Sequence, residues 1–344
     1  MKLKPSLSTL KPYTPNPQTK AIKLDANEAN YNINSYTIPS DITLNRYPDS
    51  LATSLTNKLA EKYNLSPEEL LIGSGSSELL ELIVKSFVSP NEVVLSLTPS
   101  FVMYEKYARY YNATFETFPL NQDGLLNTNA FLSTINQVNP KVIFLSNPNN
   151  PTGTSIKYED IKTILHSTKA LVVLDEAYIE FLNEDASMID QINNHPNLLV
   201  TRTFSKAYGL ASLRVGYLVT NKYLINQLKR VKTPYSVSQL SLSIATNALN
   251  DLNATNQYIN MIKKNKTTLK DALSNINMTP LHSDANFLYL STSFPLASYL
   301  ETYDISIRSF PNHAYRITIP SDNELPILLK ALKEIKNENK HNPN

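Results

Sequence analysis

Between residues 70 and 220, short apolar runs alternate with stretches in which apolar residues recur every three or four positions. Residues 70–72, 93–97, 142–145, 170–174, 198–201 and 215–220 are apolar runs too short for helices and rich in Val, Ile and Leu, and they predict buried strands. Residues 78–88 and 156–165 carry helical spacing. Strands joined through helices predict an α/β architecture, a largely parallel sheet sandwiched by helices with its chemistry at the carboxyl ends of the strands.

Beyond Pro234 the pattern turns helical over 237–249 and 254–273. Strand candidates follow at 286–290, 305–309 and 315–319, then a helix at 324–335. This later part reads as a small α+β domain, and 336–344 as a loose tail. Residues 1–30 hold Pro5, Pro12, Pro15 and Pro17 with little periodicity, so an extended arm is expected there. The resulting division is an arm over 1–30 that joins the small domain, a large domain over 31–245 and a small domain over 246–344.

At 344 residues and 42% hydrophobic content the chain can bury one large core and a lesser one. A formal charge of +2 without a basic block argues against nucleic acid as a partner. Cysteine is absent, which removes disulfides and thiolate metal sites. The first residues lack the apolar run of a signal peptide, and no stretch approaches the roughly 18 apolar residues of a membrane span, so a soluble cytoplasmic protein is expected. Only six glycines occur, and Gly73, Gly75, Gly153, Gly209 and Gly216 all fall within the motifs below.

The first motif, Gly73-Ser74-Gly75-Ser76-Ser77-Glu78, joins a strand directly to a helix. Backbone N–H groups at such a helix start face an anion, with Gly75, Ser76 and Ser77 as the contacts; a plain N-cap is the alternative. Phe101, after Pro99-Ser100, sits where a ring could stack on a flat ligand or simply pack in the core. In Ser146-Asn147-Pro148-Asn149-Asn150-Pro151-Thr152-Gly153 a rigid turn holds Asn147, which can donate to a phenolate oxygen or serve the turn alone. The strand entering Asp175-Glu176-Ala177-Tyr178 delivers a buried aspartate that needs a cationic partner, such as a protonated pyridine nitrogen, with Tyr178 beside Asn147 on the ring oxygen. No P-loop accompanies it to make a Walker-B strand, and no ligand cluster accompanies it to make a metal site. Finally, Thr203-Phe204-Ser205-Lys206-Ala207-Tyr208-Gly209 leads to Arg214 and Gly216. Lys206 there suits a covalent anchor for pyridoxal phosphate, with Ser205 and Arg214 on its phosphate; a solvated loop lysine is the alternative, which the companion motifs outweigh.

In this order the segments resemble the fold-type-I pyridoxal-phosphate aminotransferases, and most closely the histidinol-phosphate aminotransferase family. Leu24-Asp25-Ala26-Asn27-Glu28, Asn45-Arg46-Tyr47-Pro48 and Tyr315-Arg316-Ile317-Thr318 extend the likeness nearly end to end. The resemblance implies a mostly parallel sheet of the seven-stranded type. It also implies pyridoxal 5'-phosphate as cofactor, with Lys206 as the catalytic lysine, Asp175 on the pyridinium nitrogen, Asn147 and Tyr178 on the ring oxygen and Phe101 stacked on the ring. Gly75, Ser76, Ser77, Thr203, Ser205 and Arg214 would surround the phosphate. Tyr47 would reach it from the neighbouring subunit of a homodimer, and Tyr13, Asn27, Arg308 and Arg316 would bind substrate. Two departures fall in the family's motifs: Asn27-Glu28-Ala29-Asn30-Tyr31 stands where many members continue Asn-Glu-Asn-Pro-x-Gly, and Ser77 stands where aspartate is frequent.

The implied reaction is transamination of L-histidinol phosphate with 2-oxoglutarate, in which the incoming amine displaces Lys206 and the freed lysine moves the substrate's α-proton. Rival readings on the same fold are a threonine-phosphate decarboxylase and an aromatic amino-acid aminotransferase. A binding module without catalysis is a further one.

Overall fold

The computed structural model describes residues 4, 7–12, 16, 19–33, 42–182 and 186–341, with side chains through Ile335. The larger of two sheets contains β2 (Leu70–Ser74), β3 (Val93–Thr98), β4 (Thr114–Pro119), β5 (Val142–Ser146), β6 (Leu171–Asp175), β7 (Leu198–Thr203) and β8 (Val215–Val219). Their spatial order is β2-β8-β7-β6-β5-β3-β4. Residues of β5 are buried throughout and those of β6 nearly so, as a strand covered on both faces requires. Neighbours from β7 to β4 run parallel, whereas β8 is antiparallel to both β7 and β2.

Around this sheet lie α1 (Thr53–Tyr63), α2 (Gly75–Phe87), α3 (Met103–Tyr110), α4 (Thr128–Val138), α5 (Tyr158–Ser167), α6 (Lys222–Lys229) and α7 (Gln239–Ala248). One apolar core, with Leu145, Leu174 and Phe204, packs against α1, α4, α5 and α7; the other, with Phe144, Val173 and Leu199, packs against α2, α3 and α6. Strands expected from apolar runs match to within two residues at each end. The edge strand β4 went unrecognised, since it is mostly exposed and has no apolar run.

The long helix α8 (Asn253–Ser274) leads to the second sheet, formed by β1 (Ile22–Leu24), β9 (Phe287–Ser291), β10 (Ile305–Phe310) and β11 (Ala314–Thr318) in the order β1-β10-β11-β9. Its core runs from Ile22 to Ile335 and takes in α8, the short α9 (Leu296–Glu301) and α10 (Leu325–His341). Within the N-terminal arm, β1 pairs in parallel with β10, with Ile22 and Leu24 buried. One expectation is corrected here. The helix α10 continues to His341 instead of loosening at Lys336.

A chain so poor in glycine meets most of its non-glycine left-handed positions with asparagine. Asn27, Asn64, Asn91, Asn112, Asn139, Asn277 and Asn312 all have φ between 45° and 69°. Glycine is kept where a side chain cannot fit. On β8, a Cβ at Gly216 would lie 2.3 Å from the Ser76 nitrogen and 2.5 Å from the Gly75 carbonyl carbon. The start of α2 therefore rests directly on the β8 backbone. Gly216→Ala should lower the urea midpoint by an amount equivalent to about 1–3 kcal/mol, because backbone cannot yield as a flexible side chain can. An unchanged midpoint would show that this approach is not tight.

Candidate active site

The parallel strands end on one edge of the large sheet, and the residues following them meet there. Pro99 to Phe101 follow β3, Asn147 follows β5, Asp175 ends β6, and Thr203 to Lys206 leave β7. Because β8 is antiparallel, its first residues lie on this same edge: Val215 pairs with Ser74 and Gly216 with Thr203. Arg214, at φ 52°, thus arrives beside the start of α2.

These elements build an anion cup. The first turn of α2 supplies N–H groups without intrahelical acceptors, at Gly75, Ser76 and Ser77. Glu78 reaches back to accept from the Ser74 N–H, leaving those three for a ligand. Gly75, at φ 72°, sits so close to Arg214 that a Cβ there would meet the guanidinium Nη2 at 2.5 Å. Arg214 Nη1 donates to Ser205 Oγ at 3.4 Å, and Thr203 Oγ1 lies 2.9 Å from the same hydroxyl. Backbone donors, two hydroxyls and a guanidinium thereby adjoin one another.

Deeper along the edge, Asp175 is buried. Tyr104 Oη donates to its Oδ2 at 2.8 Å and Thr201 Oγ1 to its Oδ1 at 3.3 Å. Burial raises its pKa to about 6 despite both hydrogen bonds. Asn147 is fixed from two sides, its N–H donating to the Asp175 carbonyl at 2.9 Å and its Oδ1 accepting from Ile156 N–H at 2.9 Å. That spends the oxygen and turns the amide NH2 into the side chain's ligand-facing group. Behind Asp175, Glu176 accepts from Arg202 Nε at 3.0 Å and pairs with its Nη2 at 2.9 Å, a buried ion pair that fixes the exit of β6.

Lys206 opens onto a cavity of about 660 Å³ whose walls include Phe101, Asn150, Tyr178, Arg308 and Arg316. By surface area the lysine is half-buried, but its amine is enclosed by protein: Nζ donates to the Ala26 carbonyl at 2.9 Å and lies 5.8 Å from the Tyr178 ring centre. Desolvation first, then the Arg316 charge, pulls its pKa down to about 7. Tyr178 Oη accepts from Asn27 Nδ2 at 3.1 Å and from Asn150 Nδ2 at 3.4 Å. Arg316 donates to Asn150 Oδ1 and, at 2.7 Å, to the Asp25 carbonyl. Across the β10–β11 pair Arg308 stands opposite Arg316, so two guanidiniums face one cavity.

Most sequence-derived candidates are therefore gathered at one place. Tyr47 is not: it is 81% exposed, stacks on Tyr235 at 4.7 Å, and is not among the residues lining the Lys206 cavity. Tyr13 lies outside the described residues. Sequence reasoning missed Tyr104, Thr201, Asn150 and Thr318. Asn150 and Thr318 lie inside quoted motifs and could have been weighed. The contacts of Tyr104 and Thr201 with Asp175 span 71 and 26 residues and have no local signature.

The family model for aminotransferase class I and II matches residues 15–332. A histidinol-phosphate aminotransferase from Christiangramia forsetii is 36% identical, the match covering 98% of this chain and 97% of the relative. One from Caldanaerobacter subterraneus subsp. tengcongensis is 35% identical over 91% and 92%. In fold, the chain superposes on the histidinol-phosphate aminotransferase from Sinorhizobium meliloti, solved in complex with pyridoxal-5'-phosphate, with a TM-score of 0.85, 24% identity and 98% coverage of both chains. With relatives of one name matched over almost its full length, this chain belongs to the histidinol-phosphate aminotransferase family, within the class I and II aminotransferases.

Proposed function

We propose that the protein is a pyridoxal-phosphate-dependent aminotransferase that moves the amino group of L-histidinol phosphate to 2-oxoglutarate. The observation that carries this reading is Lys206: an enclosed amine held near neutrality at the wall of a cavity that also presents two arginines. The residues fit the cofactor by their own chemistry. The cup around Gly75 and Arg214 suits its phosphate, the Asp175 carboxylate lacks only a cation such as a pyridinium, and the Asn147 amide and the Tyr178 hydroxyl suit its ring oxygen. Phe101, beside Asp175's partner Tyr104 at 5.5 Å, is the shelf for the ring.

When bound, pyridoxal phosphate supplies an electrophilic aldehyde and an electron sink. Lys206 provides the nucleophilic amine that holds it and, once displaced by substrate, the base that takes the α-proton and returns a proton nearby. Arg308 and Arg316 bind the anionic groups of both substrates, a phosphate ester in one half-reaction and carboxylates in the other. Asn27 orients Tyr178, its own carboxamide held by the Thr318 hydroxyl at 3.1 Å. The same reading makes 1–30 an arm, 31–245 a large cofactor domain and 246–344 a small domain, supported by a core on the second sheet that draws mostly on 22–24 and 258–335 and takes in Ala177, Tyr178, Phe181 and Ala207 from the large domain. It also places the enzyme in the cytoplasm; among the described residues no helix is long and apolar enough to cross a membrane.

We further assign a homodimer in which Tyr47 serves the partner's phosphate cup. Leu44, Tyr47, Leu51 and Tyr235 are exposed, and Leu51 and Tyr235 line a largely apolar groove of about 380 Å³ between the 49–57 and 232–237 segments.

Glutamate formation from histidinol phosphate and 2-oxoglutarate tests the reaction, and carbon dioxide release from threonine phosphate instead would transfer the assignment to a decarboxylase. Borohydride should trap the cofactor on Lys206, and Lys206→Ala should reduce turnover by well over the roughly hundredfold typical of lost general-base catalysis. In the cofactor-free protein, acylation of Lys206 should rise through about pH 7 and level off, since its amine is already neutral there, whereas surface lysines keep gaining reactivity to higher pH. Peptide mass mapping reads both; a Lys206 profile like that of the surface lysines would remove the basis of the assignment.

Asp175 gives a stability test. Its pKa is raised on folding, so the folded chain holds a proton that the unfolded chain releases, and stability falls as pH rises from about 4 to about 6. Asp175→Asn should abolish that part of the fall and leave the cofactor-free variant more stable at pH 7 by on the order of 1–3 kcal/mol, measured by urea unfolding. Parallel pH profiles for the two proteins would contradict it. For the dimer, co-expressed Tyr47→Ala and Lys206→Ala chains should regain roughly a quarter of wild-type activity, because half the dimers are mixed and hold one intact site. No recovery on mixing would mean that Tyr47 acts within its own chain, and full activity of Tyr47→Ala alone would mean that it does not act at all.

A further inference from the structure

We propose that Tyr104 is the positioning residue for the cofactor's ring, holding Asp175 by hydrogen bond and the ring shelf Phe101 by contact. The inference rests on the reading of the site as a pyridoxal-phosphate site and adds to it a residue that touches neither cofactor nor substrate.

Three contacts fix Tyr104. Its side chain is fully buried, its ring stacks on Phe144 of β5 at 4.7 Å and 6° between planes, and its hydroxyl donates to Asp175 Oδ2 at 2.8 Å. The stack leaves the hydroxyl no freedom to swing away, so the carboxylate is oriented by a rigid partner. Against the same ring stands Phe101, edge to face at 5.5 Å and 85°. One side chain thus sets the in-plane partner of the ligand ring and supports its face. The other side-chain donor on Asp175, Thr201, is longer at 3.3 Å and contacts only Oδ1, and the Ala177 backbone adds a further hydrogen bond. Tyr104 is therefore the principal side-chain donor and Thr201 the secondary one.

The helix α3 that carries Tyr104 also faces the substrate cavity. Glu105, Lys106 and Arg109 line it, and Lys106 Nζ donates to the Lys11 carbonyl on the opposite wall at 2.9 Å. The segment that places Tyr104 is thereby clamped between the sheet and the N-terminal segment.

The test compares wild type, Tyr104→Phe and Thr201→Val for binding of pyridoxal phosphate to the cofactor-free protein, by titration of the visible band, and for steady-state kinetics. Tyr104→Phe keeps the ring and its stack, so it should fold; a thermal unfolding scan checks this. Losing a hydrogen bond to a buried charged group should weaken cofactor binding roughly tenfold or more and lower kcat at saturating cofactor, with KM for the amine donor unchanged. Thr201→Val should move both in the same direction by a smaller factor. Equal cofactor affinity and kcat in wild type and Tyr104→Phe would overturn the proposal, as would a larger loss in Thr201→Val. If Tyr104→Phe failed to fold, Phe144→Leu would decide: it keeps the Tyr104 hydroxyl but removes the stack that fixes it, so unchanged cofactor affinity and kcat would overturn the proposal. Failure of the underlying reading looks different, since wild type itself would then form no visible band with pyridoxal phosphate.

Discussion

A carboxylate buried at the end of a central strand governs the arrangement of this protein. Asp175 is buried there at the end of β6, and two side-chain hydrogen bonds and one from the Ala177 backbone hold it without giving it a counter-charge. Burial pushes it toward its neutral form, and burial pushes Lys206 toward neutrality from the other direction. Both shifts have one main cause, the removal of water from a charged group, and it acts in opposite directions on an acid and a base.

Sheet topology explains how so many chemical groups reach this carboxylate. Parallel strands β3, β5, β6 and β7 all end on one edge, which would leave the guanidinium of Arg214 stranded on the far side if β8 ran with them. The reversal of β8 brings its first residues, and Arg214 with them, to the side where β2 ends and α2 begins. Gly216 and Gly75 let the two backbones and the guanidinium approach to distances no side chain would allow. The anion cup is thus a product of one strand's direction and two missing Cβ atoms.

Much of this was legible beforehand. Buried parallel strands have a continuous apolar signature, so β3, β5, β6 and β7 are legible, and the lysine, aspartate and asparagine that follow them could be weighed as chemistry because they fall at the carboxyl ends of strands, where ligands bind open α/β sheets. What escaped was carried by long-range packing. The edge strand β4 is too exposed to have an apolar run, and β1 becomes a strand only because β10 is there to pair with it. Tyr104 reads as one more aromatic on an amphipathic helix; only the fold, which lays α3 across β5, turns its hydroxyl toward Asp175. The reversal of β8 is likewise invisible locally, since an apolar run has no direction.

The second sheet contributes more than a lid of arginines. Asn27, in a left-handed conformation just after β1, donates to Tyr178 on the large sheet's side and is held by Thr318 of β11 and by Asn286, whose Nδ2 donates to its carbonyl at 3.2 Å. Arg316 of the same strand β11 bonds to Asn150, which also donates to Tyr178. The Arg316 guanidinium and the Tyr178 phenol, both on the wall of the Lys206 cavity, therefore share partners on both sheets. Through Asn27 and Asn150 the second sheet is hydrogen-bonded to Tyr178, whose ring lies 5.8 Å from the Lys206 amine, so the placing of β11 against the lysine is fixed by side chains and not by sheet pairing.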